Sequence, residues 1–241
     1  MRHLIKPAAL KAAALLTLFA GPLAGQLYAV PWTSFAGPAS AGQVNYSNGA
    51  FNTGLFGSPS AAPVNNTFTW NPLIGTSAFE ANSQDLQTTI KNDFVSFDVT
   101  ETGALDVTTV TATLTGRYSY FGTPGGSLKV DGVLELTYIS GGIGMQSATT
   151  SFVDIVTLTP IPLVSVTGFE EAQYTGTATL AIPSGVTSFT VKYFSEITAS
   201  SLVGGTTTVG NQTLTISIPE PTSLALVGAA GVMLLKRRRN A

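Results

Sequence analysis

The 241-residue chain has no cysteine, one histidine and few charges. Without thiols, no disulfide framework, thiolate zinc site or cysteine nucleophile can form. The single histidine is His3, so the chain beyond its first residues cannot assemble a Ser-His-Asp triad or a histidine-based zinc site. Charged residues make up 10% of the chain, well under half of the roughly 25% usual in soluble domains. No long apolar run replaces them in mid-chain; Thr, Ser, Gly and Asn do. A formal charge of −2 gives no basic surface for nucleic acid. No phosphate-cradling glycine loop ending in Lys-Ser/Thr is present, and no dinucleotide fingerprint. The nearest glycine cluster, Gly141-Gly142-Ile143-Gly144, reads as a loop between strands.

The cations that are present sit at the ends. Arg2, Lys6 and Lys11 open the chain and Lys236, Arg237, Arg238 and Arg239 close it, leaving Lys91, Arg117, Lys129 and Lys192 for everything between. Twelve carboxylates, from Glu80 to Glu196, face those four cations, so the middle carries −8. The N-terminal stretch has the three parts of an export signal. A basic start leads into the nine-residue apolar run Ala12 to Ala20, and Gly21-Pro22 then breaks it. The run falls in the 7–15 range of a signal-peptide core and is too short to span a bilayer. Cleavage is expected after Ala29, with Leu27 at −3, so residues 1–29 are read as a signal peptide. The export translocon and signal peptidase are the partners this implies.

The other end reads Ile218-Pro219-Glu220-Pro221, then fourteen uncharged residues from Thr222 to Leu235, then Lys236-Arg237-Arg238-Arg239-Asn240-Ala241. As a helix at about 1.5 Å per residue this run would be about 21 Å long, short of the roughly 30 Å hydrocarbon core. Pro221 suits a first helical turn, Glu220 complements the positive end of the helix dipole, and the cations complement its negative end. Lys236 to Arg239 act as a stop-transfer cluster that holds the extreme terminus in the cytoplasm. A marginal span behind such a stop is a temporary tether to the membrane.

This tail (Pro219-Glu220-Pro221, a short apolar helix, a terminal arginine cluster) resembles the PEP-CTERM sorting signal of Gram-negative bacteria. The resemblance covers about Ile218 to Ala241, a tenth of the chain, together with the generic export signal. It implies processing by an exosortase, a membrane-embedded protease-like enzyme. It also implies a surface or matrix role in bacteria that make extracellular polysaccharide. A permanent single-pass anchor is the alternative, and its span would be about six residues short of the usual length.

Between these ends the pattern is that of strands. Residues 30–66 are rich in Gly, Ser, Asn, Pro and Ala, and read as an irregular segment whose aromatics lie against a domain at 67–217. From Thr67 onward apolar residues recur with period two. Leu128, Val130, Gly132, Leu134, Leu136 and Tyr138 share one face, and Lys129, Asp131, Val133, Glu135 and Thr137 the other. Val95, Phe97 and Val99 oppose Phe94, Ser96 and Asp98; Phe189, Val191, Tyr193 and Ile197 oppose Ser188, Thr190, Lys192 and Glu196. Side chains alternate across a strand, so each set has a buried and a wet side. Turns are expected at Gly122-Thr123-Pro124-Gly125-Gly126, at Pro183-Ser184-Gly185 and at Gly210-Asn211. No amphipathic helix is legible between Val30 and Ile218. Nine or ten short strands imply an all-β, two-layer β-sandwich or jelly-roll-like domain, flanked by the signal peptide and the short transmembrane helix 222–235.

Few residues remain for chemistry. Carboxylate pairs could support glycoside hydrolysis. Glu170-Glu171 would point to opposite faces of a strand, Asp131 and Glu135 would lie roughly 13 Å apart along one, and Glu135 could meet an acid on a neighbouring strand. Solvation on the polar side of alternating strands is the simpler role for all of them. Calcium is the cation such an acidic exported domain would take, and Asp98, Glu101 and Asp106 around Gly103 could supply loop oxygens. Their spacing matches no defined site. Trp32, Trp70, Tyr118 and Tyr120 are candidates for an aromatic platform that stacks on sugar rings, although strand aromatics are more often core. Asn45, Asn65 and Asn211 open glycosylation sequons. The sequence therefore predicts an exported, exosortase-processed structural protein of the cell surface or of a polysaccharide- and biofilm-associated matrix. It predicts no catalytic activity and no catalytic, metal or cofactor site. The alternatives are a carbohydrate-binding module for extracellular polysaccharide and, more remotely, a carboxylate-based glycosidase.

Overall fold

A computed structural model describes residues 30–31, 39–41, 44–60, 63–64, 66–72, 79–102, 107–139, 143–155, 160–161 and 163–219. The export signal through Ala29, Trp32, Asn65, Gly103, Asp106, Gly141-Gly142 and all residues from Glu220 onward lie outside them, including Pro221, the 222–235 run and Lys236 to Arg239. Every regular element among the described residues is a strand: β1 (Val30–Pro31), β2 (Ala39–Ala41), β3 (Val44–Phe51), β4 (Thr67–Trp70), β5 (Glu80–Gln84), β6 (Thr88–Glu101), β7 (Thr109–Ile139), β8 (Ile143–Thr149), β9 (Ser151–Asp154), β10 (Pro160–Ile161), β11 (Leu163–Ala181), β12 (Ser188–Ser201) and β13 (Thr206–Ser217). All pairings between them are antiparallel. β1 to β3 thus form within the segment that reads as irregular, and Val44 and Tyr46 of β3 are core residues.

The strands make the expected two-layer sandwich. One layer runs β3, β6, β12, the C-terminal half of β7 and β8, with β1 and β2 paired to β3. The second runs from β4 and β5 through β13, the N-terminal half of β7, β11, β9 and β10. Period two fixes the burial. Val95, Phe97 and Val99, Leu128 to Leu136, and Phe189 to Ile197 face inward as the alternation predicts, with Tyr138 half-buried.

The layers are joined differently from the expected hairpins. The chain does not reverse at Gly122–Gly126; β7 passes through it from the second layer into the first. β12 and β13 run beside it as one interrupted line, with Ser201 opposite Gly126 and Thr206 opposite Phe121. β5 and β6 form a third such line, with Thr88 opposite Ser200 and Gln84 opposite Thr206. Three neighbouring strands therefore bend between layers at one level, a sandwich corner of the kind that bulges and bends make. The corner uses left-handed backbone at Asp85 (φ 48°), Leu86 (φ 62°) and Gly204 (φ 71°). Asp85 accepts the Gly204 N–H at 3.0 Å, and Ser83 and Ser201 hydroxyls meet at 2.9 Å. Gly210-Asn211 is likewise no turn but a bulge inside β13, where the register with β7 shifts between Asn211 and Thr213. Pro183-Ser184-Gly185 does turn the chain, yet carries it from β11 to β12 in the other layer.

Two side-chain bridges tie the layers across the core. At one end Tyr46 and Phe97 of the first layer pack on Phe68 of the second, with ring centroids 4.7 and 4.6 Å apart. Further along, the bulge turns Asn211 inward. Its amide donates to Ser195 Oγ across the layers at 3.1 Å and accepts from the Tyr174 hydroxyl at 2.7 Å. A buried polar chain satisfied in this way sets the relative position of the layers.

Candidate functional site

The aromatics singled out in the sequence are interior. Trp70, Tyr118 and Tyr120 are buried, so none of the three is a platform. The two tyrosine rings stack on one another, centroids 6.5 Å apart, and each hydroxyl serves a carboxylate. Tyr118 donates to Asp154 at 2.8 Å, and Tyr120 donates to Glu170. Burial first, and the neighbouring carboxylate second, hold the Tyr118 hydroxyl far above its ordinary range and push Tyr120 up to about 12. Both stay neutral donors at physiological pH, and the Tyr118 hydroxyl gives the buried Asp154 carboxylate a hydrogen bond.

Most of the other described acids are also engaged. Glu171 is exposed on the face opposite Glu170, as the alternation requires. Asp131 pairs with Lys129, and Glu135 with Lys192 at 3.3 Å, while the Lys192 ammonium also lies 5.1 Å from the centre of the Phe94 ring. The cross-strand acid pair that does form is Asp131 opposite Glu196, on an open sheet face beside Lys129. Of the calcium candidates, Glu101 accepts the Val107 N–H at 2.8 Å, and Asp98 accepts from Asn48 and Thr190, both at 2.6 Å. Among the described residues no three acidic or histidine side chains gather as a metal site. Asn211 is buried, which removes it as a sugar acceptor in the folded domain.

What the sequence reading passed over is the outer face of the second layer. Phe121 and Phe169 are Cα partners across β7 and β11, and they are 61% and 74% exposed. The signal was present. Arg117 and Ser119 belong to the polar side of β7, and Phe121 continues that parity, so it had to point outward. The same row continues through Thr206 and Gln84. Next along the strands come Glu171, Ser119, Thr208 and Asn82. Arg117 follows, reaching over Gly210 to Glu80 at 3.6 Å. Beyond it lies a hydroxyl lattice in three rows: Thr175–Thr115–Thr213, Thr177–Thr113–Thr215–Thr69 and Thr179–Thr111–Ser217–Thr67. Its members bond to one another, Thr111 to Thr179 at 3.1 Å and Thr113 to Thr177 at 3.2 Å. Such cross-strand pairs each contribute roughly 0.2–1 kcal/mol. Thus the face offers two rings at one end and, along its length, hydroxyl and amide groups with almost no net charge.

No family model and no curated protein matches the chain. Among solved structures it is similar to TmCBM61 in complex with β-1,4-galactotriose, at 7% identity, over 70% of this chain and 86% of that one, with a TM-score of 0.24. It is similar to the N-terminal endo-1,4-β-D-xylanase 10B of Clostridium thermocellum complexed with xylohexaose, at 13% identity over 57% and 26% of the two chains, TM-score 0.20. A protein of infectious bursal disease virus, Gx strain, gives 11% identity over 72% and 50%, TM-score 0.20. These scores lie below that of a shared fold.

Proposed function

We propose that the chain is an exported surface or extracellular-matrix protein whose β-domain has no catalytic role, delivered by an N-terminal signal and processed by an exosortase at its tail. The observation that carries this reading is where the last described strand ends. Ile218 is fully buried and donates its N–H to the Asn66 carbonyl at 3.0 Å, and the half-buried Pro219 follows at once. Among the described residues the last of the core therefore abuts the Pro219-Glu220-Pro221 motif, so that processing beyond it would leave every described strand intact. The commitment of Asp131, Glu135, Glu170 and Asp154 to lysine or tyrosine partners supports a non-catalytic domain.

The reading is tested by replacing Glu220 with Ala in the native host and following the C-terminal peptide by mass spectrometry. The variant should keep the segment through Ala241 and stay with the membrane; wild-type processing of the variant would overturn the proposal. The second reading, a domain that binds extracellular polysaccharide, is favoured by one observation, the exposed Phe121–Phe169 pair.

A further inference from the structure

The paired phenylalanines are unusual in what surrounds them. Burying a Phe side chain is worth about 1.5–3 kcal/mol, and here two neighbouring rings forgo it. The described rows that follow along the strands carry no further large apolar side chain (Thr206 and Gln84, then Glu171, Ser119, Thr208 and Asn82), and the exposed Leu86, Leu202 and Val203 lie in the corner loops on the other side. A protein partner's hot spot would sit in an apolar centre ringed by polar residues, whereas here an apolar pair heads a long polar strip. At about 3.4 Å per residue, the ten steps of β7 from Phe121 to Thr111 make that strip about 34 Å long. Charge narrows the ligand further. Arg117 is held by Glu80, Glu171 is exposed, and the domain around them carries −8, so an anionic polymer would be repelled.

We propose that this face binds an extended, uncharged polysaccharide. The apolar faces of its pyranose rings stack on Phe121 and Phe169, and its hydroxyls bond to Asn82, Ser119, Glu171 and Thr208. Aromatic rings supply contact area at small entropic cost, and short amide, hydroxyl and carboxylate groups supply direction. The proposal rests on export only in that the glycan must be met outside the cell.

The experiment uses the full chain in zwitterionic detergent, run by affinity electrophoresis through gels holding neutral glucan, galactan, mannan or xylan, with alginate as the acidic comparison. Retardation is expected with at least one neutral polysaccharide and not with alginate. Phe121→Ala/Phe169→Ala should weaken it by about tenfold or more, with an unchanged melting temperature because both rings are exposed. Phe121→Tyr/Phe169→Tyr should retain it. Retardation by alginate alone, by none of the gels, or equally by the double alanine variant would overturn the proposal. So would conversion of a dimer to a monomer by that variant without loss of sugar binding, which would assign the face to self-association. None of these results bears on C-terminal processing, so the two proposals fail separately.

Discussion

The ring of Tyr174 occupies the space that a side chain at Gly116 would fill. A Cβ there would lie 2.2 Å from Tyr174 Cζ and 2.3 Å from the Gly210 carbonyl oxygen. The two residues are partners across β11 and β7. Phe152 covers Gly176 and Tyr138 covers Gly144 in the same way. Glycine weakens a strand, and an aromatic partner laid over it restores the packing. At Gly116 the arrangement does more, because it lets the Tyr174 hydroxyl reach Asn211 and through it the other layer.

Gly116→Ala should therefore cost about 3 kcal/mol, the upper end for overpacking, and lower the melting temperature by about 2–4 °C for each kcal/mol. Thermal unfolding of single and double variants checks it. Tyr174→Leu removes both the ring and the polar bridge, so the Gly116→Ala/Tyr174→Leu pair should cost less than the sum of its singles by about 1 kcal/mol or more. Strict additivity would separate the two residues.

Asp93 organises a loop with one buried carboxylate. It accepts backbone N–H groups from Asn52 at 3.0 Å, Thr53 at 2.9 Å, Phe56 at 2.9 Å and Phe94 at 2.8 Å. The loop so held places Phe56 against Phe79, ring centroids 4.8 Å apart. In Asp93→Asn an amide NH₂ would replace one accepting oxygen and face a backbone donor. The expected loss is about 2–3 kcal/mol, with faster hydrogen exchange confined to residues 52–56 and β6. Unchanged exchange there would show that the loop stands without the carboxylate.

How much of this was legible depends on whether a feature is local. The inward sets on β6, β7 and β12 follow from alternation within each strand, and they sit where the sequence puts them. The corner does not follow. Gly122-Thr123-Pro124-Gly125-Gly126 has the composition of a hairpin turn, and what keeps it running straight on is the alignment of Gly126 with Ser201 and of Phe121 with Thr206. Those partners are about eighty residues away, beyond any local signal. The platform failed for another reason. Tyr118 and Tyr120 do share a strand face, but it is the buried one, where each hydroxyl meets an acid. The residue on the wet side is Phe121, a position that parity alone would have singled out.

Alkaline stability follows from the buried hydroxyls. Tyr118, Tyr120, Tyr174 and Tyr193 all have pKa values raised by burial, Tyr120 to about 12 from an ordinary 10 and the others well above their ordinary value. A raised pKa means the folded state favours the neutral phenol. The stabilisation is complete below pH 10 and is lost as pH climbs through 10 to 12 and above. Absorbance at 295 nm should show these four phenols ionising together with loss of the β-sheet signal at high pH. Their ionisation near pH 10 in a still-folded domain would contradict the burial described.

The corner can be tested by comparing two glycines of positive φ, one with open space around it and one packed against backbone. Gly185 has φ 79° and nothing within 4 Å of where its Cβ would stand. Gly122 has φ 127° and would bring a Cβ within 2.7 Å of Gly205 Cα. Both substitutions to Ala meet the cost of a left-handed conformation, roughly 1–2 kcal/mol. Only Gly122→Ala also pushes β7 away from the line of β12 and β13, where backbone, not a flexible side chain, has to move. It should cost about 1–3 kcal/mol more than Gly185→Ala. Because the displaced strand is the one that carries Phe121, the variant should also release amide protection at Ser201 and Thr206. Equal melting temperatures for the two variants would mean that the strands cross between layers without needing this close approach.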